Sequence, residues 1–256
     1  MVNPNYTSNP TVTRAGAAVD TGLQAHMTKV YALMGGAMII SGLVAYIFGT
    51  DLNAARLGQE TTLVPVALLE ALYSSPLRWA LMFAPLIFIF AFGATMHRLS
   101  ASTAQIVFWV FAAVMGMSIA WIFAIFTGVS IAQTFFATAA AFGALSIYGY
   151  TTKKDLSGWG TFLFMGVIGL IIASVVNLFL ESSALQFAIS LLGVLIFAGL
   201  TAYDTQNIKN TYLQMRATPD GQAWLEHAAI SGALSLYINF LNMFMFLLQF
   251  MGAQQE

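Results

Sequence analysis

The chain contains no cysteine, which removes disulfides, thiolate metal sites and thiol catalysis. Charge is nearly as scarce. Only 7% of its 256 residues are Asp, Glu, Lys or Arg, and a net charge of -1 offers no basic surface for nucleic acid. The three histidines, His26, His97 and His227, stand far apart and do not form a zinc-like motif. His227 and Ser231 are four residues apart, but no oxyanion hole accompanies them, so the chain is not expected to be an enzyme. No resident cofactor is expected either.

In place of charge stand long apolar runs. Hydrophobic residues make up 59% of the chain and the mean hydropathy is +0.80. Between Arg98 and Lys153 lie 54 residues without one formal charge. A spanning helix needs roughly 20 mostly apolar residues to cross ~30 Å of hydrocarbon, because lipid satisfies no backbone N–H or C=O. The composition therefore specifies an all-α polytopic membrane protein with the lipid bilayer as its main partner. Seven crossings fit, at about residues 29–49, 78–97, 104–127, 131–151, 159–180, 184–206 and 228–250. The long charge-free run divides at Thr127-Gly128-Val129-Ser130, a polar reversal. Pro85 falls inside the second crossing, where it removes a backbone donor. Gly35, Gly36, Gly166 and Gly169 are small residues of the kind that allow close helix contact.

Residues 1–27 lack an apolar signal region and read as a short flexible tail, leaving 28–252 as the membrane domain and 253–256 as a short second tail. In the link 50–77, Leu63, Val66, Leu69, Leu72 and Tyr73 alternate with Glu60, Glu70 and Pro76, which predicts a short interfacial helix rather than an eighth crossing. Arg14, Lys29, Arg98, Lys153, Lys154, Lys209 and Arg216 fall on one side of the seven crossings, and only Arg56 and Arg78 on the other. That asymmetry predicts a cytoplasmic amino terminus and an external carboxyl terminus.

Function must be read from the polar groups that interrupt the spans. Asp204 follows 22 uncharged residues and sits in or near the sixth crossing, where an ionisable group is costly unless it faces water or the bundle interior. Arg98 ends the second crossing on the same side, and is either a partner for Asp204 or an ordinary interfacial anchor. Asn239 and Asn242, three apart near Tyr237, either bind a neighbouring helix or offer amide oxygens to a cation. Asn177 and Gln133 are weaker polar candidates.

Two segments near the carboxyl end carry a family resemblance. They are Ala198-Gly199-Leu200-Thr201-Ala202-Tyr203-Asp204-Thr205-Gln206-Asn207-Ile208-Lys209 and Gly232-Ala233-Leu234-Ser235-Leu236-Tyr237-Ile238-Asn239-Phe240-Leu241-Asn242-Met243-Phe244. Together with the segment Tyr150–Ser157 and with His97-Arg98-Leu99-Ser100, they resemble the transmembrane Bax inhibitor motif family, over about residues 28–252.

The resemblance implies a seven-helix bundle with the last helix near its centre, in a bacterial inner membrane. It also implies a pH-sensitive leak for calcium or another cation, controlled by carboxylates on the sixth and seventh helices and by an arginine latch. Asp204 matches the first carboxylate and Arg98 the arginine. At the second position relatives commonly carry Asp, and this chain has Asn239. An amide cannot titrate, so a weaker or acid-shifted pH response is expected, with Asp204 and Asn239 as transient cation ligands. The alternative implied by some bacterial relatives is a regulator that binds another membrane protein, such as a membrane-bound protease.

Overall fold

The computed structural model describes residues 10–95, 98–218 and 221–255; His97 lies outside them. The described helices are α1 (Pro10–Arg56), α2 (Val66–Leu69) leading into a π turn (Glu70–Ser74), α3 (Leu77–Thr95), α4 (Ala101–Ile119), α5 (Ile122–Ile125), α6 (Gly128–Thr151), α7 (Ser157–Leu180), α8 (Ser183–Met215) and α9 (Gly221–Met251). Six helices are long and apolar enough to cross a membrane, α4 and α5 counting together. The segment Val66–Ser74 and α3, bent by 69° to one another, make a seventh where the bent pair is counted as one span. At ~1.5 Å per residue, the 19 residues of α3 span most of a bilayer's hydrocarbon. The short helix expected in the link is present as α2 and the π turn.

Helix starts follow the local sequence. Ser100, Thr127 and Ser182 cap α4, α6 and α8, each side chain accepting from a backbone N–H three residues on. Thr127 places the expected reversal where the polar tetrapeptide stands. Pro85 cannot donate to the carbonyl of Leu81, one turn earlier, and Ser118 Oγ on α4 donates to it instead (2.8 Å).

One boundary expected from the sequence is corrected. The tail was placed at 1–27, yet α1 begins at Pro10, and Leu23, His26 and Met27 are buried against the bundle. Residues 1–9 lie outside the described residues. At the other end, Ala253–Gln255 do not trail free. Thr127 N donates to Ala253 O (3.1 Å), Ala253 N to Ser130 Oγ (2.8 Å) and Gln255 N to Ile125 O (2.7 Å).

The bundle is built around α9. Its most apolar window is 61% buried, against 11–33% for the other spans, and Ala229, Ala233, Leu236, Tyr237 and Leu248 are fully enclosed. Helix α7 is at the opposite extreme, with Phe179 and Leu178 facing outward as lipid-exposed residues do. A polar node ties the centre together: the Tyr237 hydroxyl lies 2.5 Å from Ser41 Oγ, which bonds the carbonyls of Ala37 (2.9 Å) and Ala112 (2.7 Å). One buried cluster thereby joins α1, α4 and α9 with every polar atom satisfied.

The glycines that permit close packing are not those singled out by spacing. Gly35, Gly36 and Gly169 have open space where a Cβ would stand, and Gly166 meets only the side chain of Ile196. Gly149 on α6 instead lies so near the Ala202 carbonyl of α8 that any side chain would collide with backbone, and Gly116 on α4 stands likewise against Ser41.

Candidate functional site

The contact of Gly149 with Ala202 seats the turn of α8 that carries Asp204. On this turn Thr201 and Thr205 are buried and return their hydroxyls to the carbonyls of Phe197 and Thr201 (both 2.8 Å), so they demand nothing from neighbouring helices. Gln206 clamps the α6–α7 link, donating to Lys154 O and accepting from Leu156 N (both 2.8 Å). Lys209 donates to Tyr150 O (2.6 Å) and lies over the Tyr150 ring. Gln206 and Lys209 therefore face the end of α6 and the link after it, and Asp204 is the one turned toward α9.

The half-buried Asp204 carboxylate accepts from Asn239 Nδ2 at 2.7 Å, and Asn239 is itself buried. Asn239 is the one hydrogen-bond partner of Asp204 among the described residues. The carboxylate lines a crevice of about 290 Å³ with His26, Asn207, Thr211, His227 and Ser231. His26 packs its ring on Tyr212 (5.1 Å between centroids), and its Nε2 has no hydrogen-bond partner among the described residues. Across the mouth, His227 Nε2 lies 2.8 Å from Leu99 O, tying the α3–α4 link to α9. Lys29 and Glu226 approach to 4.0 Å on the rim, a solvated pair of little energetic weight.

The sequence-predicted residues separate into four groups. Asp204 and Asn239 meet. Asn242, one turn further along α9, returns its Nδ2 to Ile238 O (2.9 Å) and lines different crevices. Arg98 is exposed, and the expected ion pair with Asp204 is not formed in this structure: Asp204 is turned to Asn239, and the neighbouring Leu99 is held by His227. Asn177 belongs to a polar cluster at the far end of the bundle, with Gln186 and Gln249.

Three polar residues now placed were not singled out by the sequence. Gln206 and Lys209 stand within the quoted motif, the signal that could have found them. Asp51 is the third. It is 3% exposed at the far end of α1, and its carboxylate accepts from the backbone N–H groups of Thr62 (2.9 Å), Leu63 (2.7 Å) and Val64 (2.6 Å).

Among the described residues no group of three or more His, Asp or Glu side chains is arranged to hold a metal ion. Asp204 with Asn239 presents one carboxylate and one amide, a sparse set suited to brief contact with a hard cation rather than to a resident metal.

The chain matches the family model described as "Inhibitor of apoptosis-promoting Bax1" over residues 23–256. It is 43% identical to an uncharacterized protein of Caulobacter vibrioides, covering 99% of this chain and 98% of that one. It is 40% identical to an uncharacterized protein of Rickettsia prowazekii, covering 98% and 99%. Over 90% of this chain and 92% of the relative, it is 39% identical to the inner membrane protein YbhL of Escherichia coli strain K12. Since the family model covers nine-tenths of the chain and these relatives align with it nearly end to end, this multi-pass membrane protein belongs to the family described as inhibitor of apoptosis-promoting Bax1.

Proposed function

We propose that the protein is a pH-sensitive cation leak of the bacterial inner membrane, with Asp204 as the ion-facing group, Asn239 as its fixed partner and calcium as the permeant ion. The observation that carries this reading is a single carboxylate, bound by one amide, at a polar crevice between α8 and the central helix. A negative group in a low-dielectric wall concentrates cations at the crevice mouth. Beyond the crevice the seam between the two helices is filled by Phe197 and Phe246, stacked at 5.9 Å, so conduction requires this seam to part.

The Asp204 end of the bundle also gathers Lys29, Arg98, Lys153, Lys154, Lys209 and Arg216, which supports a cytoplasmic placement by the positive-inside rule. In this orientation Arg98 serves the charged collar rather than a closed latch. Calcium flux into protein-only liposomes tests the reading. Asp204→Asn should lower flux about tenfold, the effect of removing one charge worth on the order of 1.4 kcal/mol to a cation. Folded protein that passes no calcium, sodium or potassium in these liposomes would overturn the leak and favour the regulatory alternative, in which activity needs a partner such as a membrane-bound protease.

A further inference from the structure

At the end opposite Asp204, two cavities join. One, of about 410 Å³, is bordered by Asn177, Gln186 and Gln249, and the other, of about 530 Å³, runs between α3 and α7 along Leu86, Ile171 and Val175. Ser174, Leu178, Asn242 and Phe246 line both, so the two form one groove with a polar head and an apolar body. Both volumes fall within the ~300–1,000 Å³ usual for ligand sites. The body opens sideways from spanning helices, since α3 packs on α4 and α7 on α8. Its outward residues therefore meet acyl chains.

The head is organised. Asn177 Nδ2 donates to Gln186 Oε1 (3.1 Å), Gln186 Nε2 donates to Gln249 Oε1 (2.9 Å), and Ser182 N donates to Asn177 Oδ1 (3.1 Å). This chain of amides fixes the orientation of each group and leaves Gln249 Nε2 as the amide nitrogen that has no partner among the described residues. Asn177 and Gln249 stand in the last turns of α7 and α9 and Gln186 in the first turn of α8, the depth at which a bilayer places its glycerol esters. Among the described residues no charged one lines either cavity. A neutral amide head suits ester carbonyls and does not select for an anionic headgroup.

We propose that this groove is a glycerophospholipid site: one acyl chain lies between α3 and α7, and the ester region hydrogen-bonds to the Asn177–Gln186–Gln249 amides. The inference stands apart from the cation leak, because it uses none of the residues of the Asp204 crevice.

The test is photolabelling in nanodiscs with phosphatidylcholine carrying a diazirine in its acyl chain, followed by peptide mapping. Labels should concentrate on α3 and α7 around Leu86, Ile171 and Val175, above the level on the outward face of α6 at Phe136 and Ile147, which is at least as exposed. Gln249→Leu should lower groove labelling about three- to tenfold, the range for one lost hydrogen bond, with α6 labelling unchanged. Ile171→Trp should lower it by filling the body. Gln249 is exposed, so its replacement keeps the test valid if the tryptophan variant misfolds. Phosphatidylglycerol with the same chain should label equally. A free fatty acid with that chain should label less, because it lacks the glycerol esters. Equal labelling of α6 and the groove would reduce the site to ordinary boundary lipid and overturn the proposal, as would groove labelling that Gln249→Leu leaves intact or that the free acid matches.

Discussion

Asp51 and Asp204 occupy opposite ends of the bundle and show two ways of placing a carboxylate in a lipid-soluble protein. His26, which shares the crevice of Asp204, is separated from Asp51 by 25 residues of α1, or ~37 Å at 1.5 Å per residue. Asp51 is wrapped by three backbone N–H groups from the link that follows it, so its charge is spent on holding that link in place. Asp204 receives one amide donor and borders open space. A buried charge fully met by backbone donors is a structural fixture, whereas one met by a single side chain keeps capacity for a further partner.

The largest effect is expected from Asp51→Ala. It removes the acceptor of three N–H groups, one on the buried Val64 and two on the exposed Thr62 and Leu63, costing about 1–3 kcal/mol for the buried group with a smaller addition from the other two. Thermal unfolding in detergent should show it, while flux per folded molecule stays near that of the parent. A variant that unfolds normally but leaks differently would erase the distinction between the two carboxylates.

Gly149→Val comes next. Its side chain must displace the α8 backbone at Ala202, two residues from Asp204, at the ~1–3 kcal/mol typical of overpacking. Unlike the Asp51 change, this one should alter stability and calcium flux together, since it moves the turn that carries the crevice carboxylate.

Asn239→Asp sharpens the comparison without removing anything. Two carboxylates at hydrogen-bonding distance share a proton and titrate as a pair. Calcium flux measured from about pH 5 to 8 should therefore depend more steeply on pH in the variant than in the parent. Superimposable profiles from folded, conducting proteins would leave Asn239 as a packing contact alone.

The smallest effect belongs to a third carboxylate, the exposed Asp155. Ser157, through its hydroxyl and then its backbone N–H (2.9 Å), holds the Asp155 carboxyl below its ordinary 3.8. A depressed value stabilises the fold at pH above the unfolded value, and the gain is lost as pH falls through the folded one. Asp155→Ala should thus lower the unfolding temperature slightly at neutral pH, and the difference should close as melts are taken to pH below 3.8.

The positions of the spans, the Thr127 reversal and the short helix before α3 were legible because each is a local property of composition and spacing. Asp204 was legible because a lone acid after a charge-free run stands out. The pairing of Arg98 was not. Its expected partner was assigned from shared sidedness, but sidedness fixes a helix end and not the distance between two side chains. The glycine contacts, the Ser41–Tyr237 node and the support of Leu81 by Ser118 join residues on different helices. A single sequence contains no periodic signal for which helices become neighbours. Asp51 was missed for a related reason: it captures backbone groups, and backbone N–H is common to every non-proline residue.

The central position of α9 has a consequence for how the molecule is made. Ser41 and Tyr237 are 196 residues apart, so at the ~5–20 residues per second of synthesis roughly 10–40 s pass before the second can meet the first. Through that interval Ser41 can use its own helix, at Ala37 O, as a temporary acceptor. The earlier spans must nonetheless wait in the bilayer without the helix that fills their middle. The central helix thus enters as a plug after the spans it fills, and Ala253–Gln255 engage Ile125, Thr127 and Ser130 only once it is in place.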